Sequence, residues 1–252
     1  MACRTRSAAL PARAAPLLFC LLSAACATIE QAPPSPPIEA VSAFRLPNDP
    51  AQPPWMRVPI RFKTETVYRA DAVQGQLCIR AEADASWSIL AAPVPAAFAN
   101  ASTLSWRWIT EALPPNATGQ GIGRDDASVR VIIAFKGDME KVPATDRAAM
   151  NMARLVGGWQ IPFASIQYLW EAELPAETLL DHHTVSRIKK LVVRSGPEGL
   201  GQWLSFERDV RADFRRLFPG EEPGEIESIG IMTDTETMGG KASACYAEIS
   251  LR

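Results

Sequence analysis

After residue 60, apolar and polar positions alternate with a period of two in short runs, and Gly, Pro, Asn and Asp separate the runs. A period of two places successive side chains on opposite faces, so such runs predict half-buried strands. Nine strands are expected, at 62–69, 76–82, 103–109, 127–135, 166–170, 188–194, 203–208, 227–232 and 244–251. Helical pattern is confined to two places. Residues 145–156 have helix-forming composition with Thr145 as a cap, and 209–217 space Val210, Phe214 and Leu217 along one helical face before a Phe218-Pro219-Gly220 stop. The fold class this implies is mostly β: an antiparallel β-sandwich or jelly roll with two short helices.

The N-terminal quarter reads differently. Arg4, Arg6 and Arg13 precede the apolar run Leu17-Leu18-Phe19-Cys20-Leu21-Leu22, which is too short for a permanent membrane helix. It ends in Leu22-Ser23-Ala24-Ala25-Cys26, which resembles the lipobox of bacterial lipoproteins, although Ser23 stands where Leu is usual. Residues 1–25 are therefore expected to be a signal peptide, with lipid attached at Cys26 or plain cleavage at the Ala-rich site as the alternative. Ala27 in place of Asp points to the outer membrane, so the expected location is the periplasm of a Gram-negative bacterium, anchored to that membrane. Residues 26–59 hold nine of the 21 prolines. Proline fixes φ and donates no hydrogen bond, so this stretch reads as an extended tether onto which Phe44 and Trp55 could dock back. Residues 60–252 form the single folded domain.

Charge narrows the partners. The formal net charge is −2 and turns more negative once the Arg-containing leader is removed, so no nucleic-acid footprint is present and membrane contact is expected through the lipid alone. Cys78 and Cys245 remain in the folded part, each in an apolar strand, where a buried free thiol is the simpler outcome and a disulfide the alternative.

Familiar catalytic signatures are missing: there is no Gly-x-Ser-x-Gly, His-Glu-x-x-His, Walker loop or Cys-x-x-Cys. His182 and His183 are adjacent, and in an extended segment they would point to opposite faces and not share a metal. The glycine-rich 119–123 turn lacks the strand-before, helix-after setting of a nucleotide site. More chemistry sits in two acidic turns, Asp125-Asp126 and Asp234-Thr235-Glu236-Thr237. Carboxylates with a hydroxyl and backbone carbonyls are the hard oxygen ligands that calcium prefers, and Asp234 with Glu236 is the candidate pair; the plainer alternative is turn capping. Asp125, Asp126, Trp170, Arg208 and Asp234 are the candidate ligand-binding residues. Trp106 and Trp108 share one strand face and are expected in the core.

The ordered segments Leu104-Ser105-Trp106-Arg107-Trp108, Asp125-Asp126-Ala127-Ser128-Val129-Arg130-Val131, Tyr168-Leu169-Trp170, Phe206-Glu207-Arg208-Asp209-Val210, Ile231-Met232-Thr233-Asp234-Thr235 and Tyr246-Ala247-Glu248-Ile249 resemble a bacterial family of unknown function, DUF3047. The strand order is also similar to that of galactose-binding-like jelly rolls. The first resemblance implies no activity; the second implies carbohydrate binding and a structural calcium ion. Glu236 and Glu248 stand where the family usually has Asp. The function expected is therefore non-catalytic binding of carbohydrate or another envelope polymer, with a glycan-acting enzyme using paired carboxylates and a structural lipoprotein bound to an envelope protein as alternatives.

Overall fold

The computed structural model describes residues 43–119 and 122–252. The leader, Cys26 and most of the proline-rich tether lie outside the described residues. Thirteen strands are seen among the described residues: β1 (Phe44–Arg45), β2 (Met56–Val58), β3 (Val67–Val73), β4 (Gln76–Asp84), β5 (Ile89–Pro93), β6 (Thr103–Thr110), β7 (Ala127–Phe135), β8 (Ala164–Glu171), β9 (Leu179–Asp181), β10 (Ile188–Ser195), β11 (Leu204–Asp209), β12 (Ile226–Asp234) and β13 (Lys241–Leu251). Two α-helices, α1 (Ala144–Met152) and α2 (Val210–Leu217), interrupt them, and a wider π turn, Ala153–Gly157, continues α1.

The strands form two sheets. The six-stranded sheet runs β11-β6-β13-β4-β3, with β1 also on β13; the seven-stranded sheet runs β2-β5-β12-β7-β8-β10-β9. Every pairing is antiparallel except β8 with β10, which is parallel. The mostly β sandwich read from the sequence is thus present, with one parallel pair inside it.

Alternation decides what lies between the sheets. Leu104, Trp106 and Trp108 from β6 meet Val129, Val131, Ile133 and Phe135 from β7, together with Ile231 and Ile249, in one buried cluster. Trp106 stacks on Tyr168 and Phe206 at 5.2 and 5.4 Å between ring centres. Helix α2 closes one end of the core. Asp209 caps it by accepting from the amides of Arg211 and Ala212, and Phe214 packs edge-on against Phe135 at 4.9 Å.

Three features depart from the sequence reading. β3 starts at Val67 and not at residue 62, and Phe62 takes a positive φ of 66° in the turn before it, outside the extended range of a regular strand. Strand pairing reaches back before residue 60: β1 adds to β13, β2 adds to β5, and Leu46 and Trp55 are buried in the core. Cys78 and Cys245 are joined in a disulfide between the neighbouring strands β4 and β13, on the outer side of the six-stranded sheet, where free thiols were the simpler expectation.

Candidate functional site

The outward face of the seven-stranded sheet is not open to water. The β7–β8 connection, carrying α1, the π turn and Trp159, rises along one side. The bend at residues 182–185 packs against α1, with the Ser186 amide donating to Asp146 at 3.2 Å, and Gly123 and Asp125 enter from the β6–β7 connection. Between them lies a cleft of about 470 Å³, within the ordinary range of ligand pockets.

Strand register grades this floor from polar to apolar. Along β7 the outward residues are Arg130, Ile132 and Ala134; opposite them on β12 stand Met232, Gly230 and Ser228, and on β8 Leu169, Gln167 and Ser165. A Cβ on Gly230 would stand 3.1 Å from Ile89 Cγ2, so glycine keeps the middle of the floor low. Trp87 and Trp159 form an edge-to-face pair 5.7 Å apart on the α1 side, both half-buried, and Trp87 Nε1 donates to the Met232 sulfur at 3.2 Å.

At the polar end the side chains are tightly partnered. Asp125 accepts from Arg130 Nη2 at 2.8 Å through Oδ1 and from Lys190 Nζ at 2.5 Å through Oδ2. Arg130 Nη1 donates to Gln167 Oε1 at 3.0 Å, and Lys190 also donates to Gly119 O at 2.8 Å. Burial would raise the Asp125 pKa, but the two cations outweigh it and hold this carboxyl below the usual range. Burial and the Arg130 charge together depress Lys190.

Asp234 behaves in the opposite way. It is 5% exposed, its Oδ2 lies 3.6 Å from Arg130 Nη2, and no donor of the protein reaches Oδ1. Burial raises its pKa most. Arg130 pulls it back, and the Asp126 and Asp125 carboxylates, with the hydrogen bond a protonated Asp234 gives Asp126, push it up to about 8. Glu171 Oε2 and Arg130 Nε are likewise buried without a partner, and burial raises the Glu171 pKa. The proton that Asp234 keeps goes to Asp126, so what this end offers a ligand is the Asp234 Oδ1 acceptor and the Arg130 Nε–H donor.

The sequence candidates divide. Asp125 and Asp234 line the cleft. Asp126 accepts from the amides of Thr237 and Met238 at 3.0 and 2.9 Å, fastening the start of β7 to the β12–β13 turn. Glu236 reaches the rim but is paired with Lys63. Trp170 faces the core, its Nε1 donating to Gly196 O at 2.8 Å. Arg208 lies at α2, where it grips Asp213 and Glu177. Tyr168 donates to the same Asp213 carboxylate at 3.0 Å.

The histidines do not separate as an extended segment would require. The chain bends there, because His182 Nδ1 accepts from the amides of Thr184 and Val185, and the two rings stack at 4.5 Å. Asp125, His182 and His183 bring ligand-type atoms within 4.8 Å of one another. Both Asp125 oxygens are already held by cations, however, and His182 Nδ1 by backbone, so a metal ion would have to displace Lys190. Burial first, then the Lys190 and His183 charges, depress the His182 pKa to about 4, leaving it a neutral ring with Nε2–H as donor.

Arg130, Lys190, Gln167, Trp87 and Trp159 were not among the sequence candidates. The available signal was a charge in the middle of an otherwise apolar strand, as in Val129-Arg130-Val131 and Lys190-Leu191-Val192.

Residues 53–250 match the family described as Protein of unknown function (DUF3047). The chain belongs to this family. The matched span takes in every cleft residue named above. No curated protein matches the sequence. Among solved structures, this DUF3047 member is similar to the family 11 carbohydrate-binding module of the cellulosomal cellulase Lic26A-Cel5E of Clostridium thermocellum, at 11% identity and a TM-score of 0.40 over 84% of this chain and 95% of that one. It is also similar to the xyloglucanase domain of NopAA from Sinorhizobium fredii in complex with cellobiose, at 8% identity and a TM-score of 0.36 over 82% and 99%.

Proposed function

We propose that this protein is an exported, lipid-anchored envelope protein that holds a carbohydrate in the cleft of its seven-stranded sheet without cleaving it. The carrying observation is the cleft itself: a pair of half-buried tryptophans borders a floor whose polar end keeps two buried atoms, Asp234 Oδ1 and Arg130 Nε, without partners among the described residues. Sugar rings place C–H faces on aromatic rings and hydroxyls on mixed donors and acceptors, which is the chemistry offered here. Buried polar atoms are ordinarily satisfied, so partnerless ones beside a cleft support a ligand or ordered water completing them. Export is supported by the basic and apolar leader ending at Cys26, and the Cys78–Cys245 disulfide suits an oxidising compartment.

The mature protein should bind oligosaccharides on a glycan array and by calorimetry, and Trp159→Ala should weaken that binding at least tenfold. Absence of binding to any envelope or plant glycan would overturn the reading. Cys26→Ser should move the protein to the soluble periplasm and abolish palmitate labelling; labelling that is absent in the wild type would remove the anchor.

One observation favours glycan hydrolysis as a second reading: Asp125 ionised and Asp234 protonated share the cleft, as an acid and its partner carboxylate would. Since Arg130 and Lys190 occupy both Asp125 oxygens, that carboxylate is not free to attack or to take a proton. Release of reducing sugar that Asp234→Asn abolishes would establish hydrolysis instead.

A further inference from the structure

The floor and its rim carry more apolar surface than a sugar alone would use. From Arg130 toward β5 and β2 the lining residues are Gly230, Ile89, Ala91 and Val58, with Gln167, Ser165 and Ser228 on the other strands of the floor, and Ala149 and Ala153, four apart, turn the same side of α1 and the π turn toward the cleft. The opposite side of that segment shows Met152, Leu155 and Val156 to solvent, with Leu155 65% exposed. Beside it the 60–63 loop is fastened by Arg61, whose amide donates to Gly157 O at 2.8 Å and whose guanidinium reaches Leu155 O at 3.4 Å. That loop holds Phe62 91% exposed, at a positive φ uncommon for a bulky residue. Exposed apolar side chains gathered on the far side of a cleft wall mark a contact surface.

We propose that the ligand is an amphiphile, a saccharide bearing a hydrocarbon chain, whose head meets Arg130, Asp234 and His182 while its chain lies along Ile132 and Ala153 and leaves over the lip formed by Phe62 and Leu155. The proposal rests on the reading of the cleft as a saccharide site and adds the chemical class of what the sugar carries. Strand order supports it, because β2 and β5 at one edge of the sheet give the cleft only Val58, Ile89 and Ala91, whereas β7 and β8 supply Arg130, Gln167 and Ser165. So does the position of the lip, since the 60–63 loop follows β2 directly and Leu155 shares the π turn with Ala153.

The test is calorimetric titration of the mature protein with methyl, hexyl, octyl and decyl maltosides, each below its micelle concentration, beside maltose. Affinity should rise roughly threefold to fourfold for each added methylene until the apolar side is filled. Ala153→Phe should flatten that dependence. Phe62→Ser, at a site with nothing packed over it, should weaken the longer chains without moving the melting temperature. Maltose and all alkyl maltosides binding equally well would overturn the amphiphile and leave the saccharide site standing. Octyl chains carrying a phosphocholine head and binding as tightly as octyl maltoside would instead remove the saccharide reading. Cosedimentation with phosphatidylcholine vesicles as strong as with vesicles containing a glycolipid would make the lip a bilayer contact and overturn the proposal.

Discussion

Asp234 stands 3.6 Å from the guanidinium of Arg130 and nevertheless holds its proton, with a pKa pushed up to about 8, because burial and the carboxylates of Asp126 and Asp125 outweigh that cation. The native state therefore binds a proton that the unfolded chain gives up near pH 4. The associated stability is fully present below pH 4 and is lost as pH rises toward 8. His182 acts oppositely, its depressed pKa of about 4 removing stability as pH falls below its ordinary value near 6.5. Between pH 6.5 and 8 His182 restores only about 0.4 kcal/mol as the unfolded ring finishes losing its proton, so the net decline should amount to about 1 to 2 kcal/mol. Asp234→Asn keeps a neutral donor at this position, so thermal melts of that variant should lose the decline. Equal slopes in the two proteins would show that Asp234 is ionised.

Two tryptophan pairs should separate stability from binding. Trp106 is enclosed in the core, so Trp106→Ala should cost about 3 to 5 kcal/mol and lower the melting temperature by on the order of 10 °C. Trp159 is half-buried on the cleft wall, and Trp159→Ala should change saccharide affinity far more than the melting temperature. Chemical denaturation of both variants, beside one titration, reads the difference.

Arg208 serves the fold, not the cleft. Asp213→Ala would leave the Arg208 guanidinium and the Tyr168 hydroxyl facing a vacated carboxylate site, an expected loss of about 3 kcal/mol. Glycan affinity should be unchanged. Loss of binding at full helical and sheet content by circular dichroism would place Arg208 in ligand recognition after all.

The Cys78–Cys245 bridge closes a long stretch of chain, with 167 residues separating its ends. Replacing both cysteines by serine should cost about 2 to 5 kcal/mol. Unreduced protein should resist alkylation at both positions, while reduced and unfolded protein should take up two equivalents more. Alkylation without reduction would show free thiols.

How much could be read from residues alone follows from the physics of each element. β7 was legible to the residue, and β13 was placed with its start three residues late. β5, with the sequence Ile-Leu-Ala-Ala-Pro, has one face in the core and the other on the cleft floor, so no polar residue marks it and its proline argues against a strand. β1, β2 and β9 are two or three residues long, below the length at which a period shows. Asp125 and Asp234 stood out because acidic turns are conspicuous. What they do there was not legible, since Arg130, Asp234 and Lys190 meet only once three strands align. Trp87 and Trp159 gave no local sign of their pairing, being 5.7 Å apart in space and far apart in the chain.

The parallel pairing of β8 with β10 decides what the cleft wall is made of. Parallel neighbours cannot be joined by a tight hairpin, so residues 172–187 must travel from one end of the sheet back to the other before β10 begins. That return path is what lays His182, His183 and Val185 beside the cleft. A wall built from a connection inherits the tolerance of connections to insertion and replacement, whereas the floor is bound by strand register. Changes at His182 and His183 would therefore remodel the wall of the cleft while leaving the register of its floor untouched, whereas β9 and Glu177 in the same crossover are tied into the sandwich.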